Sequence, residues 1–148
     1  MNFDRVIAGL AMALSLAAPL AAPLSAQVGK VVLTSTLDGN SEPTGGDPDG
    51  AGTFSVELNP DSGEVCYLYT LSNIARPKLV QIQRGPIGSN GPSAIILEAG
   101  SDVCVEADPR VVAAIIAEPG DYFVNFSNAE FPTGALRGQL VAKQFAAK

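Results

Sequence analysis

The sequence predicts an all-β protein, an antiparallel β-sandwich with one short helix. Apolar and polar residues alternate with a period of two in several short runs, as they do in strands that bury one face. Gly, Pro, Asn and Asp residues separate these runs at intervals of roughly ten residues, which is typical of sandwiches and barrels. The period changes to that of a helix only once, after Asp108.

The predicted strands are short. In Thr53–Leu58 the apolar residues alternate with Thr, Ser and Glu, and the turn at residues 59–63 leads into a returning strand, Glu64–Leu71. This pattern predicts a hairpin. The other runs predicted as strands are Lys30–Leu37, Leu79–Gln83, Ala94–Leu97, Asp102–Glu106, Tyr122–Phe126 and Ala135–Val141.

One helix is predicted to begin after Asp108. Asp is a favourable N-cap, and Pro109 suits the first helical position. Val111 and Ile115 are spaced by four residues, so they share one face of a helix. The Pro-Gly pair at residues 119–120 ends the pattern. We expect this helix to pack over one end of the sheets.

The first 26 residues predict a secretory signal peptide. No charge occurs between Val6 and Ala26, prolines interrupt the apolar stretch, and small residues precede Gln27. An uncleaved membrane anchor of just sufficient length is the alternative. The prolines and small residues favour cleavage, which leaves a mature domain of residues 27–148. That domain is predicted to be secreted or periplasmic, without membrane insertion after the signal is removed.

The 148-residue chain has a net charge of −6 and no basic run, with 47% hydrophobic and 16% charged residues. Such a composition is typical of one folded domain rather than a disordered chain. Nucleic acids and anionic membrane surfaces are recognised by clustered Lys and Arg, so neither is expected as a partner.

Two cysteines follow the predicted signal, Cys66 and Cys104. In an exported protein an even cysteine count favours a disulfide, and two cysteines allow only one pairing. The alternatives are a pair of free buried thiols or half of a metal site. A metal site needs further ligands, and the chain contains no histidine.

An acidic segment, Asp38–Gly50, is predicted to be a solvated loop. Its Asp47 and Asp49 raise the alternative of a calcium site. No Glu follows at the spacing of a known calcium loop, and Pro48 stiffens the segment, so the solvated loop is favoured.

Three stretches read together resemble the CHRD domain, in its single-domain exported bacterial form. They are GEVCYLYTLSNI, RGPIGSNGP and DYFVNFSNAEFPTGALRGQL, within about Val31 to Val141. The last stretch is the most specific, with its Tyr-x-x-Asn strand, Phe-Pro-x-Gly turn and closing Arg-Gly-Gln-Leu. The resemblance implies an immunoglobulin-like or superoxide-dismutase-like sandwich and a cysteine pair at the places of Cys66 and Cys104. It implies no defined molecular activity.

The chain departs from the pattern of the family at its polar positions. The family has His-Ile-His where this chain has Gln81-Ile82-Gln83, Asn-Val-His at 125–127, and Gly-Glu at 134–135. Three imidazoles and a carboxylate, which could ligate a transition metal or relay protons, are replaced. We therefore predict a degenerate polar cluster without metal; the alternative is that both glutamines simply face water. The predicted members of this cluster are Gln81, Gln83, Ser127 and Ala135.

Arg137 stands between apolar Leu136 and Gly138 on a predicted strand. A partly buried arginine is usually paired. It is therefore expected to bind loop carbonyls as a structural residue or, alternatively, to contact a ligand.

The inventory of catalytic groups predicts no enzyme and no cofactor. A Ser-His-Asp or Cys-His device needs histidine, paired carboxylates occur only in turns, and no phosphate-binding glycine motif is present. We predict a non-catalytic module that binds a partner protein or glycan, or has a structural role, outside the cytoplasm. The alternative is a metal-binding protein or an enzyme with an unrecognised site, for example calcium between Asp38 and Asp49.

Overall fold

The computed structural model describes residues 29–143. This part of the chain contains nine strands and one α-helix, and all strand pairings are antiparallel. The strands are β1 (Val31–Asp38), β2 (Ala51–Leu58), β3 (Glu64–Ser72), β4 (Leu79–Arg84), β5 (Ser93–Leu97), β6 (Val103–Glu106), β7 (Tyr122–Ser127), β8 (Leu136–Gln139) and β9 (Val141–Ala142); the helix is α1 (Pro109–Ala117). The predicted all-β class with one short helix is confirmed.

The strands form one continuous, nearly closed sheet in the order β5-β4-β7-β8-β1-β2-β3-β6, with β9 paired beside β1. The arrangement is therefore barrel-like rather than a sandwich of two separate sheets. The β5-β4-β7-β8 half of the sheet joins the β1-β2-β3-β6 half at two places. Asp38 at the end of β1 pairs with Arg137 of β8, and β9 pairs with Leu33 and Thr34 of β1. Alternation along each strand predicts which side chains are buried, but it does not reveal this joining.

The core lies on the inner face of this curved sheet. The predicted hairpin is confirmed, because β2 and β3 pair along their whole length from Ala51↔Ser72 to Leu58↔Val65. Phe54 of this hairpin packs edge-on against Phe126 of β7. Fully buried apolar residues on the other strands complete the core: Leu33, Leu37, Val56, Leu58, Val65, Val80, Ile82, Val124, Leu136 and Leu140.

Helix α1 begins where its sequence predicts. The Asp108 side chain accepts a hydrogen bond from the backbone N–H of Arg110 at 2.9 Å, and Pro109 is the first helical residue. Val112 and Ile115 are fully buried and belong to the same core as the sheet. The helix ends at Ala117, and a single 3₁₀ turn, Pro119–Asp121, leads into β7.

The strand predicted at Ala135–Val141 is instead two short strands, β8 and β9. Between them the N–H of Leu140 donates to the carbonyl of Tyr122 on β7. Val141 and Ala142 then pair with β1. The chain thus changes partner at Leu140, which alternation alone does not reveal.

No helix within residues 29–143 has the length and apolar character needed to span a membrane. The predicted signal peptide, residues 1–26, and its cleavage site lie outside the described residues.

Candidate functional site: a buried ion pair beneath two loops

Strand β7 is buried on both faces, as are the first three residues of its neighbour β8. Its inward side chains, Val124 and Phe126, belong to the core. Its outward side chains are Phe123, Asn125 and Ser127, which are also buried. Two loops lie over this outer face: the acidic loop (residues 39–50) and the β4–β5 loop (residues 85–92). The polar groups between them form the candidate site.

Arg137 of β8 lies at the centre of this site, in register with Asn125 of β7 and Asp38 of β1. Its side chain is 3% exposed. The guanidinium donates to the carbonyl oxygen of Ser89 and, at 3.0 Å, to the side-chain oxygen of Asn90. Its carbon lies 3.9 Å from the centroid of the Phe123 ring, within the range of a cation–π contact. Arg137 therefore fixes the β4–β5 loop against the sheet.

Glu42 brings the acidic loop to the same point. Its side chain is fully buried. Oε1 accepts hydrogen bonds from Asn125 Nδ2 at 2.7 Å and from Arg137 Nε at 3.3 Å. Oε2 lies 3.2 Å from Arg137 Nη2, but this ion-pair contact lacks hydrogen-bond geometry, so Oε2 has no hydrogen-bond partner. Arg137 therefore compensates the charge of the carboxylate, but only one of the two carboxylate oxygens accepts hydrogen bonds.

The backbone beside Glu42 has no room for a further side chain. A Cβ on Gly134 would lie 2.4 Å from both Cδ and Oε1 of Glu42, and 2.7 Å from Asn125 Nδ2. The acidic loop is also held by backbone contacts, since the N–H of Asp47 donates to the carbonyl of Ala135 at 2.9 Å. Glycine at position 134 is thus required for the close approach of the carboxylate.

Burial raises the pKa of the Glu42 carboxyl above its ordinary value, while the charge of Arg137 and its hydrogen bond act in the opposite direction. Desolvation is the larger influence, which is consistent with the unsatisfied Oε2. Both charged side chains are buried against each other, and together they hold the two loops over the outer face of the sheet.

The predicted polar cluster lies beside this ion pair. In register, Gln81 pairs with Asn125, Gln83 with Phe123, and Leu79 with Ser127. The two glutamines and Ser127 therefore share the outer face. Gln83 donates to Gln81 at 3.0 Å, and both are partly exposed.

Ser127 does not bond to the glutamines. Its hydroxyl donates to the carbonyl of Leu79 at 3.5 Å. Ala135 is fully buried, and its N–H donates to the carbonyl of Phe126 at 2.7 Å. Gln81, Asn125 and Arg137 follow one another across three neighbouring strands.

The two cysteines face each other across β3 and β6, and their sulfur atoms form a disulfide at 2.08 Å. Together with Glu64 they are the only three-residue group within residues 29–143 whose ligand atoms are close enough to hold a metal. Because both sulfurs are bonded to each other, Glu64 alone remains as a ligand there. The group is not a metal centre.

The alternative of a calcium site concerns the carboxylates of Asp38, Asp47 and Asp49 in and beside the acidic loop. Asp38 accepts hydrogen bonds from the backbone N–H and the hydroxyl of Ser41, at 2.8 and 2.7 Å. Burial and the neighbouring carboxylate of Asp49 raise the pKa of Asp47. Asp38 therefore accepts its hydrogen bonds from Ser41, whereas Asp47 interacts with Asp49.

Sequence reasoning missed Glu42. Its segment is rich in Gly, Pro and acidic residues, which is typical of a solvated loop, and the buried carboxylate has no local signature. The one signal was indirect: Arg137 between Leu136 and Gly138 on a strand needs a partner. The sequence offers fifteen acidic residues and no means of choosing among them.

The CHRD domain family model matches residues 33–140. No curated protein matches the chain. No solved structure matches it. The matched segment contains every residue of the candidate site, from Glu42 to Arg137.

Proposed function

Because the chain belongs to the CHRD domain family, we propose that it is a non-catalytic module that acts outside the cytoplasm. There it binds a partner protein or glycan, or has a structural role. The observation that carries this proposal is the buried ion pair of Glu42 and Arg137. Among the ion pairs within residues 29–143 it is the one in which both side chains are buried, and it holds two loops.

Catalysis by acid–base or nucleophilic groups requires a polar atom within reach of a substrate. The side chains of Glu42 and Arg137 are 0% and 3% exposed. Around them, Asn125 donates to Glu42, Phe123 lies against the guanidinium of Arg137, and the β4–β5 loop accepts hydrogen bonds from it. These contacts support a structural use of the pair. The absence of histidine from the whole chain removes the commonest general base.

The β4–β5 loop is suited to recognition, since binding residues often lie on loops that a rigid scaffold positions. Arg137 and Gln139 donate to its carbonyls at Ser89 and Gly85, and Ser89 donates to Pro86 within the loop. At its tip Ile87 is 83% exposed. An exposed isoleucine on a fixed loop offers apolar surface that is favourable to bury against a partner. We propose that this tip contacts the partner.

The first test is elemental analysis of the purified mature protein, together with mass spectrometry of its N-terminus after fractionation of the cells. We expect a chain that begins near Gln27, recovered outside the cytoplasm, with no stoichiometric metal. Stoichiometric calcium would instead support the alternative at Asp38–Asp49, and zinc, copper or iron would contradict the non-catalytic proposal.

The second test is crosslinking in the native envelope, with wild type compared to two variants. Ile87→Asp places a charge at the loop tip and should abolish the crosslinked species. Leu68→Asp is the matched control, because Leu68 is also an exposed apolar residue, on strand β3. It should leave the species intact. Equal crosslinking of both variants and wild type would show that the loop tip is not the contact surface.

A further inference from the structure

A groove of about 590 Å³ lies between helix α1 and the edge strand β5. Its apolar lining comes from Ala94 of β5 and from Val111 and Ala114 of the helix. Its volume is within the range of roughly 300–1,000 Å³ that is usual for sites of small organic ligands. The groove is separate from the ion pair of Glu42 and Arg137.

Two side chains that line this groove, Arg84 and Tyr122, have no hydrogen-bond partner among residues 29–143. Arg84 and Tyr122 are paired in register at the ends of β4 and β7, so their side chains lie on the same face of the sheet. Within residues 29–143, the Arg84 guanidinium has no hydrogen bond or ion pair. Tyr122 is only 5% exposed, and its hydroxyl has no hydrogen-bond partner among those residues either. The hydroxyl is not among the fully buried atoms that lack a partner, so it is accessible from the groove.

The other charges of the groove compensate each other. Arg110 Nη2 lies 2.7 Å from Asp108 Oδ2, and Arg110 Nε also donates to Asp108 at 3.2 Å. Among the described residues that line the groove, Arg84 is therefore the charge without a counter-charge, and it makes the groove locally positive although the whole chain has a net charge of −6. Ser93 adds a hydroxyl at the same rim.

We propose that this groove binds a small organic carboxylate with an apolar body. The apolar body lies on Ala94, Val111 and Ala114, where it is removed from water. The carboxylate accepts hydrogen bonds from Arg84 and from the hydroxyl of Tyr122. Charge-assisted bonds to a guanidinium are stronger than neutral ones, and an acceptor-only carboxylate matches a set of donors. This site does not depend on the proposed partner of the β4–β5 loop.

The test is titration of the mature protein with octanoate, followed by calorimetry and by backbone amide shifts. 1-Octanol is the probe with the same apolar body and no charge, and acetate is the probe with the charge and almost no apolar body. We expect octanoate to bind more tightly than either, with the largest shifts at Ala94, Val111 and Ala114. Equal binding of octanoate and 1-octanol would overturn the role of Arg84, and shifts elsewhere would overturn the location.

Variants identify the donors. Arg84→Gln should weaken octanoate binding about tenfold or more, because a hydrogen bond to a charged group is lost. Tyr122→Phe should weaken it by a smaller factor, and Ala114→Leu should weaken binding of both octanoate and 1-octanol by filling the groove. Arg76→Gln, at an exposed arginine outside the groove, is the matched control and should change nothing. If Arg84→Gln and Arg76→Gln have the same affinity as wild type, the proposal is wrong.

Discussion

Replacing Arg137 by methionine should destabilise this protein far more than replacing any exposed arginine. Methionine fills much of the space of the arginine stem but provides no charge and no donors. The change removes the contacts to Ser89 and Asn90 and leaves the carboxylate of Glu42, which is fully buried, without its counter-charge. Breaking a buried pair in this way costs about 3–5 kcal/mol. That is a large part of the roughly 5–15 kcal/mol by which domains are stable.

Protonation of Glu42 limits this cost. Burial already raises the pKa of Glu42 above its ordinary value, and loss of Arg137 removes the opposing influence. The carboxyl of the Arg137→Met variant is therefore expected to become neutral more readily than that of the wild type. The deficit in stability should shrink as the pH falls from 7 to 4.

Urea denaturation followed by far-UV circular dichroism measures the effect, since the chain has no tryptophan for fluorescence. The double variant Glu42→Gln and Arg137→Met should recover most of the loss, because the new side-chain amide is neutral and its oxygen still accepts a bond from Asn125. Arg84→Met, at an exposed arginine, is the control and should stay within about 0.5 kcal/mol of wild type. The reasoning is refuted if Arg137→Met costs less than about 1 kcal/mol or if the double variant is no more stable than the single one.

Three further predictions concern the disulfide, the helix cap and the pH dependence of the Glu42–Arg137 pair. Cys66→Ser removes a disulfide that spans 38 residues, so it should lower the free energy of unfolding by about 3–4 kcal/mol in the chain-entropy account. Free thiols in denatured, unreduced wild type would contradict the bond. Asp108→Ala removes the acceptor for the N–H of Arg110, so it should lower the urea midpoint and the helical circular dichroism signal. An unchanged midpoint would mean that the cap does not stabilise the helix. Because the pKa of Glu42 is raised in the folded state, its favourable contribution is complete below its unfolded pKa of about 4.3 and is lost as the pH rises through the folded value. The stability of wild type relative to Glu42→Gln should therefore fall as the pH rises above about 4.3, and a rise would show that Arg137 outweighs burial.

The local elements of this fold were predictable because each depends on neighbouring residues. The β2–β3 hairpin follows from the alternation of Thr53–Leu58 and the turn that follows, and α1 follows from the capping residue Asp108 and the Pro after it. Both are confirmed. The closure of the sheet was not predictable in this way. It depends on one pair between Asp38 and Arg137 and on β9, which are contacts between residues far apart in sequence.

Only the part of the candidate site that depends on residues close in sequence was predictable. Gln81 and Gln83 were expected on one face because alternation has a period of two, and that face carries Asn125 and Arg137 in register. Glu42 lies 95 residues from Arg137, in a loop whose composition indicates solvent. The sequence around Glu42 and the sequence around Arg137 do not indicate, each by itself, that these two side chains pair. A buried arginine predicts that some carboxylate or carbonyl must come to it, and only the folded chain determines which one.

The buried pair is better explained by the positions of the two loops than by stability. An apolar pair of similar volume often stabilises a core as well as a buried ion pair does, so the double variant Glu42→Gln and Arg137→Met could hold the sheet together. Methionine has no directed donors, however, and Arg137 donates to two successive residues of the β4–β5 loop, Ser89 and Asn90. In the double variant the loop amides should therefore exchange hydrogen faster than in wild type, while the amides of β7 stay protected. Unchanged exchange at residues 85–92 would mean that the contacts within the loop fix it without Arg137.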